Sequence, residues 1–411
     1  MNLRRILCLL VVLCPLIGWS GIITVCANCN VKGLSQAIDL SKPNDTIFVK
    51  AGTYQVVNLA IEKSITILGE KGAILDGKKE GYVLKLLADN ITVSGLTIQN
   101  SGRSYTKDYA AIYAFKANYL SVSNVTLIDP FFGMLIEKSK HGKIFDNTIY
   151  GFLARMDDSG NGIHLWHCSD MKISNNEIYK MRDGVYLEFV DESTIENNHA
   201  HNNVRYGLHF MFSNHDNYLN NTFEHNGAGV AVMFSKFIVM RNNRFIENWG
   251  TASYGLLLKE IYDAEVENNE FRENTIGIFI EGSTRINYRN NAFTSNGWAI
   301  KVSGGCYANL FSKNDFIGNS FDVSYNTAMN DNSFEGNYWS DYVGYDLDRN
   351  GVGDVPYRPV KLFSYIVNNT PETIVLLRSL FVDIINFSEK VSPVFTPDEL
   401  VDVSPLMKSV R

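Results

Sequence analysis

The stretch Gly184-Val-Tyr-Leu187 indicates the fold, because the same line of sequence recurs along the chain at short intervals: a glycine, an apolar residue, any residue and a second apolar residue. Successive glycines of this line lie 22 to 29 residues apart. A repeat of that length cannot bury its own apolar face and must stack on its neighbours, which predicts a solenoid. The other copies are Gly133-Met-Leu-Ile136, Gly162-Ile-His-Leu165, Gly207-Leu-His-Phe210, Gly229-Val-Ala-Val232, Gly255-Leu-Leu-Leu258, Gly277-Ile-Phe-Ile280 and the relaxed Ala299-Ile-Lys-Val302.

A second line, Asn-Asn-x-(Phe/Ile), stands between copies of the first. Asparagine tolerates left-handed backbone conformations and bonds nearby backbone, so these pairs are expected at tight bends between strands, aligned in ladders. Short alternating runs without a helical pattern favour an all-β solenoid, a right-handed parallel β-helix, over a leucine-rich repeat. The pairs are Asn175-Asn176, Asn220-Asn221, Asn242-Asn243, Asn268-Asn269 and Asn290-Asn291.

The remaining chain divides around this repeat. Residues 1–20 have the basic start and apolar run of a secretory signal peptide, with an uncleaved membrane anchor as the alternative. Residues 21–45 predict a helical N-terminal cap, residues 46–336 the β-helix, and residues 337–370 a loop region. Pro371 after Thr370 predicts the start of a C-terminal helix running to about Phe387, followed by an extended tail, within residues 371–411.

Composition and cysteine usage narrow the class of protein. The chain has 411 residues, of which 45% are apolar, and a net charge of -7, so it lacks the basic footprint of a nucleic-acid-binding protein. Cys26 and Cys29 predict a local disulfide in an oxidising compartment, with a metal or redox pair as the less favoured interpretation. Cys168 and Cys306 are expected to be buried thiols.

The outward face of the main strand carries unusual side chains. Positions one and three after the glycine are apolar and must face inward, so positions two and four face outward. Those outward positions hold aromatic, aliphatic, histidine and methionine side chains, and contiguous exposed apolar surface marks an interaction site. Trp166, Tyr186 and Phe279 are therefore candidate interface residues, for a protein partner or as stacking platforms for a carbohydrate.

Three outward residues predict a copper site. Met211 and Met233 occupy equivalent positions on adjacent coils, and His209 precedes Met211 by two residues on the same face. Thioether and imidazole ligands are typical of Cu(I), whereas zinc prefers Cys, His and carboxylate. The alternative is that the methionines are adaptable contacts at a protein interface. The prediction depends on register, since a slip of one residue would turn these side chains inward.

A second group of histidines lies nearer the Asn-Asn bends. It consists of His199 and His201, with His225 one coil later. Either metal binding or exposure to solvent accounts for this group of histidines, and exposure to solvent is the favoured interpretation.

The segment Asp346-Leu-Asp-Arg-Asn-Gly351 matches the first half of a Ca²⁺ loop. Asp346, Asp348 and Asn350 are the candidate calcium ligands. Tyr357 replaces the glutamate expected at the twelfth position, so a tight structural loop without calcium is the alternative.

Several longer motifs resemble the NosD family of periplasmic nitrous oxide reductase maturation proteins, over nearly the whole exported chain. The resemblance implies a periplasmic, non-enzymatic β-helix that associates with an ABC-type transporter, made of the permease NosY and the ATPase NosF, at the inner membrane. It further implies work with the copper chaperone NosL in assembling the copper centres of nitrous oxide reductase. The motifs are residues 205–213, 226–235, 248–250, 253–261, 296–299, 337–342, 344–347, 353–356, 377–382 and 404–407.

The competing class is a polysaccharide lyase or hydrolase, because many sugar-acting proteins share this solenoid. Glycosidic chemistry needs two converging carboxylates. The outward glutamates Glu137, Glu188 and Glu281 are separated by intervening coils, which disfavours an enzyme.

Overall fold

The computed structural model describes residues 20–152, 160–326, 331–391 and 400–411, and in them the chain forms a parallel β-solenoid of about 13 turns. The predicted signal peptide lies almost wholly outside the described residues. Three parallel sheets run along the solenoid, and every strand except those at the sheet ends pairs with its equivalents one coil earlier and later. The fold class predicted from the repeat is thus confirmed.

The strands of the three sheets follow each other in rotation along the chain, and their bounds are as follows. The first sheet contains Ile22–Val25 (β1), Thr46–Val49 (β2), Thr66–Gly69 (β5), Thr92–Ser94 (β8), Ser121–Ser123 (β11), Lys143–Phe145 (β14), Lys172–Ser174 (β17), Thr194–Glu196 (β20), Asn217–Leu219 (β23), Val239–Arg241 (β26), Tyr262–Glu267 (β29), Thr284–Arg289 (β32), Leu310–Ser312 (β35) and Ser333–Glu335 (β38). The long-strand sheet contains Leu59–Ile61 (β4), Leu84–Leu86 (β7), Ala110–Phe115 (β10), Phe132–Glu137 (β13), Ile163–Trp166 (β16), Asp183–Glu188 (β19), Tyr206–Met211 (β22), Ala228–Met233 (β25), Leu256–Lys259 (β28), Ile276–Glu281 (β31), Trp298–Ser303 (β34) and Phe321–Tyr325 (β37). The third sheet contains Gly52–Gln55 (β3), Ala73–Asp76 (β6), Thr97–Gln99 (β9), Thr126–Ile128 (β12), Thr148–Tyr150 (β15), Glu177–Tyr179 (β18), His199–His201 (β21), Thr222–Glu224 (β24), Arg244–Ile246 (β27), Glu270–Arg272 (β30), Ala292–Thr294 (β33), Asp315–Ile317 (β36) and Tyr338–Trp339 (β39).

Close approach of the coils explains the glycine of the repeated line. A Cβ built on Gly133 would lie 2.3 Å from the carbonyl oxygen of Gly162, and one on Gly229 would lie 2.3 Å from that of Gly255. These distances are well inside van der Waals contact, so a side chain at either position would push adjacent coils apart. The glycine row therefore sets the line along which the coils pack most tightly.

The two asparagines of each pair have different structural roles. The first adopts a positive φ, as Asn242 does at 58°, and turns the chain at the bend. The second is buried, and its Nδ2 donates to the Oδ1 of its counterpart one coil later, at 2.9 to 3.1 Å. This ladder satisfies amides that would otherwise lie unpaired in the core. It contains Asn147, Asn176, Asn198, Asn221, Asn243, Asn269, Asn291, Asn314 and Asn337.

Aromatic rings stack beneath the same bends. The ring centroids of Phe245 and Phe271 are 4.6 Å apart and those of Phe271 and Phe293 are 4.9 Å apart, with nearly parallel planes. The stack continues through Phe316 to Trp339. Each ring is fully buried, so this column is a main apolar contribution to the core.

The β-solenoid begins earlier in the chain than the sequence predicts. β1 already belongs to the first sheet, and helix α1 (Leu34–Leu40) follows it and buries Leu34, Ala37 and Ile38 in the core. Cys26 and Cys29 form a disulfide beside this helix, whereas Cys168 and Cys306 are buried free thiols.

The C-terminal region contains two α-helices where the sequence predicts one helix. Helix α2 (Leu362–Asn369) precedes Pro371, a 3-10 helix spans Pro371–Leu376, and helix α3 spans Leu380–Val391. The break has a local cause, because the Ser379 hydroxyl accepts a hydrogen bond from the Val382 N–H at 3.4 Å and starts a new helix. Phe363, Val367 and Val382 pack with Phe321 over the last coil of the long-strand sheet.

The last described residues return to the solenoid and close its asparagine ladder. The buried Asp402 carboxylate accepts hydrogen bonds from Asn337 Nδ2 at 3.1 Å and from the indole N–H of Trp339 at 3.0 Å. It also accepts from the backbone N–H groups of Gly336 and Asn337. The tail thus occupies the place that a further coil would take.

Candidate functional site

Two rows of side chains on the long-strand sheet face away from the core, and parallel pairing aligns each row coil by coil. The apolar side chains between these positions point into the core, as the repeat predicts. The outer row, two residues after each glycine, contains Leu135, His164, Tyr186, His209, Ala231, Leu257 and Phe279. The rim row, four residues after, contains Glu137, Trp166, Glu188, Met211, Met233, Lys259 and Glu281.

The outer row is more buried than the sequence predicts. Leu135, His209, Ala231 and Leu257 are all buried, so the expectation of a continuous exposed apolar stripe is wrong for this row. The reason is that aromatic side chains cover this row: Leu135 packs with Phe131 and Phe132, and the His209 ring contacts those of Tyr186 and Tyr206. The rim row is half-buried and forms the accessible edge of the face.

His209 is the most unusual residue of the outer row. It is only 6% exposed, and its Nε2 is buried without a hydrogen-bond partner. Its ring lies between those of Tyr186 and Tyr206, with both centroids 4.9 Å away. Its Nδ1 is 3.7 Å from an Asp183 carboxylate oxygen and 3.3 Å from the Arg205 guanidinium. The Arg205 guanidinium can only donate, so its contact favours the neutral tautomer with the hydrogen on Nε2, whereas the Asp183 carboxylate favours a hydrogen on Nδ1.

Asp183 and Arg205 anchor this region, and sequence reasoning missed them. The Asp183 carboxylate is fully buried and forms a two-point ion pair with Arg205, one bond of which, from Nε to Oδ1, measures 2.8 Å. Burial raises the pKa of Asp183, but hydrogen bonds and charge from Arg205 and His209 outweigh it and hold that pKa below 3.8. The two residues are separated by 22 residues, which is one coil, and this spacing was the available signal.

The methionines lie side by side in the rim row. Met211 and Met233 are direct register partners on adjacent strands, with Glu188 before them and Lys259 after them. Lys259 forms an ion pair with Glu281 at 3.1 Å. The thioether pair thus stands between charged side chains, on the same face as His209.

The predicted interface residues do not form one platform. Tyr186 packs between His164 and His209, with ring centroids 4.6 and 4.9 Å away, and burial raises its pKa to about 12. Burial and the nearby Arg182 lower the pKa of His164 to about 4, so that imidazole is neutral at ordinary pH. Trp166 lies under the Lys138 ammonium, which is 5.1 Å from its ring, and Phe279 is separated from Tyr186 by three coils.

An exposed aromatic edge lies beside the methionines, and sequence reasoning did not single it out. It occupies the position five residues after the glycine in four successive coils, and that recurrence was the available signal. Adjacent rings stack 4.6 to 5.2 Å apart. Every member has a positive φ, which is unfavourable for bulky residues, so the bend holds these rings outward at a cost. The aromatic edge contains His167, Phe189, Phe212 and Phe234.

The predicted calcium loop is held by its own hydrogen bonds. The Asp346 carboxylate accepts from the N–H groups of Asn350 and Gly351 at 3.1 and 2.9 Å, and Asp348 accepts from the Asn350 amide at 2.9 Å. These bonds account for the loop as a structural turn. Calcium binding there remains a prediction from sequence.

Solved structures share the fold at low sequence identity. The mannuronan C-5 epimerase AlgE6 A-module of Azotobacter vinelandii superimposes with a TM-score of 0.64 at 12% identity, covering 73% of this chain and 92% of that one. A family 28 exopolygalacturonase of Yersinia enterocolitica gives 0.60 at 13% identity, covering 76% and 78%. At such identities the likeness establishes the β-helix and nothing about activity.

Sequence comparisons are more specific. The family model described as periplasmic copper-binding protein (NosD) matches residues 151–344. A protein of Pseudomonas aeruginosa named probable ABC transporter binding protein NosD is 30% identical over 378 residues, covering 87% of each chain. A protein of the same name from Stutzerimonas stutzeri is 28% identical, covering 87% of this chain and 86% of that one. The chain described here belongs to the NosD family.

Proposed function

We propose that this protein is a non-catalytic periplasmic accessory protein for assembling the copper centres of nitrous oxide reductase. In this role it receives Cu(I) at the face built from His209, Met211 and Met233, and it works with the ABC-type transporter NosF–NosY and the copper chaperone NosL. The description of the family as copper-binding and the names of its relatives as ABC transporter binding proteins support this assignment.

One observation carries the copper assignment. A buried imidazole nitrogen without a partner, His209 Nε2, lies on the same face as two adjacent thioethers. An unpaired polar atom in a buried position is costly, so its persistence points to a ligand. Thioethers and imidazole are soft and borderline ligands that favour Cu(I) over Zn²⁺. Cu(I) at Nε2 requires the tautomer with its hydrogen on Nδ1, where the Asp183 carboxylate lies 3.7 Å away.

Partner docking is assigned to two surfaces. The aromatic edge next to Met211 and Met233 suits the protein that delivers or accepts copper, because exposed stacked rings at a bend are typical of interface anchors. Helix α3 suits the transporter, since it leaves Leu380, Ile384 and Phe387 more than half exposed at the far end of the solenoid.

The sugar-enzyme alternative is less well supported by the geometry. Trp166 stands between Glu137 and Glu188 in the rim row, and Glu137 already accepts a hydrogen bond from the Tyr113 hydroxyl at 3.1 Å. Glu281 is paired with Lys259. Two carboxylates facing one glycosidic bond are required for hydrolysis, and these three do not provide such a pair.

The proposed location follows from the N-terminal sequence and the family description. Residues 1–20 are expected to direct export, and the mature chain is proposed to associate with the inner membrane through the transporter. Among the residues that the structure describes, no helix is both long and apolar enough to cross a membrane.

The decisive experiment is complementation in the source organism after deletion of the gene. Replacing both Met211 and Met233 by leucine conserves volume and removes the thioethers, so we expect normal protein levels and a nitrous oxide reductase depleted of copper. Met240→Leu is the matched control, because that methionine is buried in the core. A fully copper-loaded reductase in the double variant would overturn the role of the methionines, and one in the deletion strain would overturn the proposed function.

A further inference from the structure

A second group of metal-type ligands lies on the third sheet, away from the proposed copper face. Glu177, His199 and His201 come from the adjacent strands β18 and β21 and each offers one ligand atom, all within 4.8 Å of one another. Both neighbouring strands keep their inward residues in the core, so the three side chains share the outward face.

His201 is oriented as a metal ligand would be. Its Nδ1 is 2.8 Å from the Oδ1 of Asn202, which can only accept, so Nδ1 carries the hydrogen. In the neutral ring Nε2 then keeps its lone pair. That Nε2 is buried, has no hydrogen-bond partner and lies 3.6 Å from the Glu177 carboxylate. Tyr179 stacks on the ring with a centroid distance of 4.8 Å and fixes its plane.

A lone pair facing a carboxylate is unfavourable unless a proton or a metal cation lies between them. The His199 ring is beside that of His201, with centroids 4.3 Å apart, so two imidazolium ions here would repel each other. One divalent ion held by both imidazoles and the carboxylate satisfies all three groups.

A neighbouring cluster of possible metal ligands differs from this one in composition. Glu224, His225 and Glu247 also lie within ligand distance, but they include one imidazole and two carboxylates. The His225 Nε2 is 2.8 Å from Glu247 and its Nδ1 is 3.6 Å from Glu224, so a protonated ring satisfies both carboxylates without a metal. The pairing of two imidazoles with one carboxylate sets the first cluster apart.

We propose that Glu177, His199 and His201 form a zinc-type divalent cation site, independent of the proposed copper function. Two histidines and one glutamate are a ligand set that binds Zn²⁺ and leaves a fourth position open. Glu224 is nearby, with its carboxylate 3.3 Å from His199 Nε2 and 3.6 Å from His225 Nδ1, so it lies between the two clusters. The absence of thioether ligands separates this site from the Cu(I)-type face.

The test is a titration of the purified protein with Zn²⁺ against a chromophoric chelator, at neutral pH. We expect one Zn²⁺ per chain, with affinity reduced on the order of tenfold or more in both His201→Ala and Glu177→Gln. His141→Ala is the matched control, because His141 pairs with a single carboxylate, that of Asp170, at 2.6 Å. The Zn²⁺ affinity of this variant should equal that of the wild type.

Two further measurements keep the outcome decisive. Thermal melting of each variant without metal establishes that it is folded, and Zn²⁺ should raise the melting temperature of the wild type but not that of His201→Ala. The copper-face variant His209→Ala should bind Zn²⁺ normally. Absence of Zn²⁺ binding by the wild type would overturn the proposal. Binding by His201→Ala and Glu177→Gln with the affinity of the wild type would overturn it as well.

Discussion

The inward and outward surfaces of the same coils differ in how strictly they repeat. Inward, one residue type recurs: phenylalanine stacks on phenylalanine and asparagine bonds asparagine from coil to coil. Outward, the row through Tyr186, His209 and Ala231 changes residue type at every coil. Repeating rows stabilise stacking, because each member satisfies its neighbour, whereas the irregular rows hold the residues of the proposed copper site.

The largest expected effect is on the inner side of this comparison. Phe271→Ala should lower the free energy of unfolding by about 4 kcal/mol, because it leaves a cavity between two stacked rings. Phe279, on the outward side of the adjacent strand, is half-buried, and Phe279→Ala should cost about 1 kcal/mol. Chemical denaturation of both variants measures the difference, and equal costs would contradict the division between the two sides.

The asparagine pairs allow a finer comparison within one bend. Asn243→Ala should cost about 2 kcal/mol, since it leaves the buried Asn221 amide and the Tyr218 carbonyl without partners. Asn242 is exposed and only needs a positive φ, so Asn242→Ala should cost about 1 kcal/mol and Asn242→Gly still less. The same denaturation experiment checks the order, and a larger loss for Asn242→Ala would show that the ladder is not the main contribution.

A pH-dependent effect is expected at the end of the solenoid. Burial raises the pKa of Asp322 from 3.8 to about 7, so the folded protein keeps this proton to a higher pH than the unfolded chain does. Stability should therefore fall as the pH rises from about 4 to about 7, by linkage. Asp322→Asn should remove this slope while keeping the shape of the side chain. Melting temperatures at pH 5 and pH 8 test it, and parallel changes in wild type and variant would count against this assignment.

The comparison also explains what the sequence could and could not predict. The inward rows were readable because Gly184 and Asn243 recur with the period of the coil, and recurrence fixes both strand order and facing. The burial of His209 was not readable, because Tyr206 and Arg205 of its own coil cover it together with Tyr186 and Asp183 of the preceding coil. Local sequence carries no direct record of such contacts between coils.

The C-terminal region illustrates the same limit. Pro371 and the apolar spacing after it predicted one continuous helix, whereas the Ser379 hydroxyl divides the segment and helix α2 precedes it. Asp402 reaches the Asn337 ladder from 65 residues away. A contact of that separation has no periodic signal, so it became visible only in the folded chain.

Copper binding on the irregular outward side can be measured directly. The purified protein is titrated with Cu(I) against a competing chelator, alongside His209→Ala and Met233→Ala. We expect one tightly bound Cu(I) in the wild type and its loss in both variants, each of which is shown to be folded by its unfolding curve. Failure of the wild type to bind Cu(I) would contradict the proposed copper site. Binding of Cu(I) by both variants as tightly as by the wild type would also contradict it.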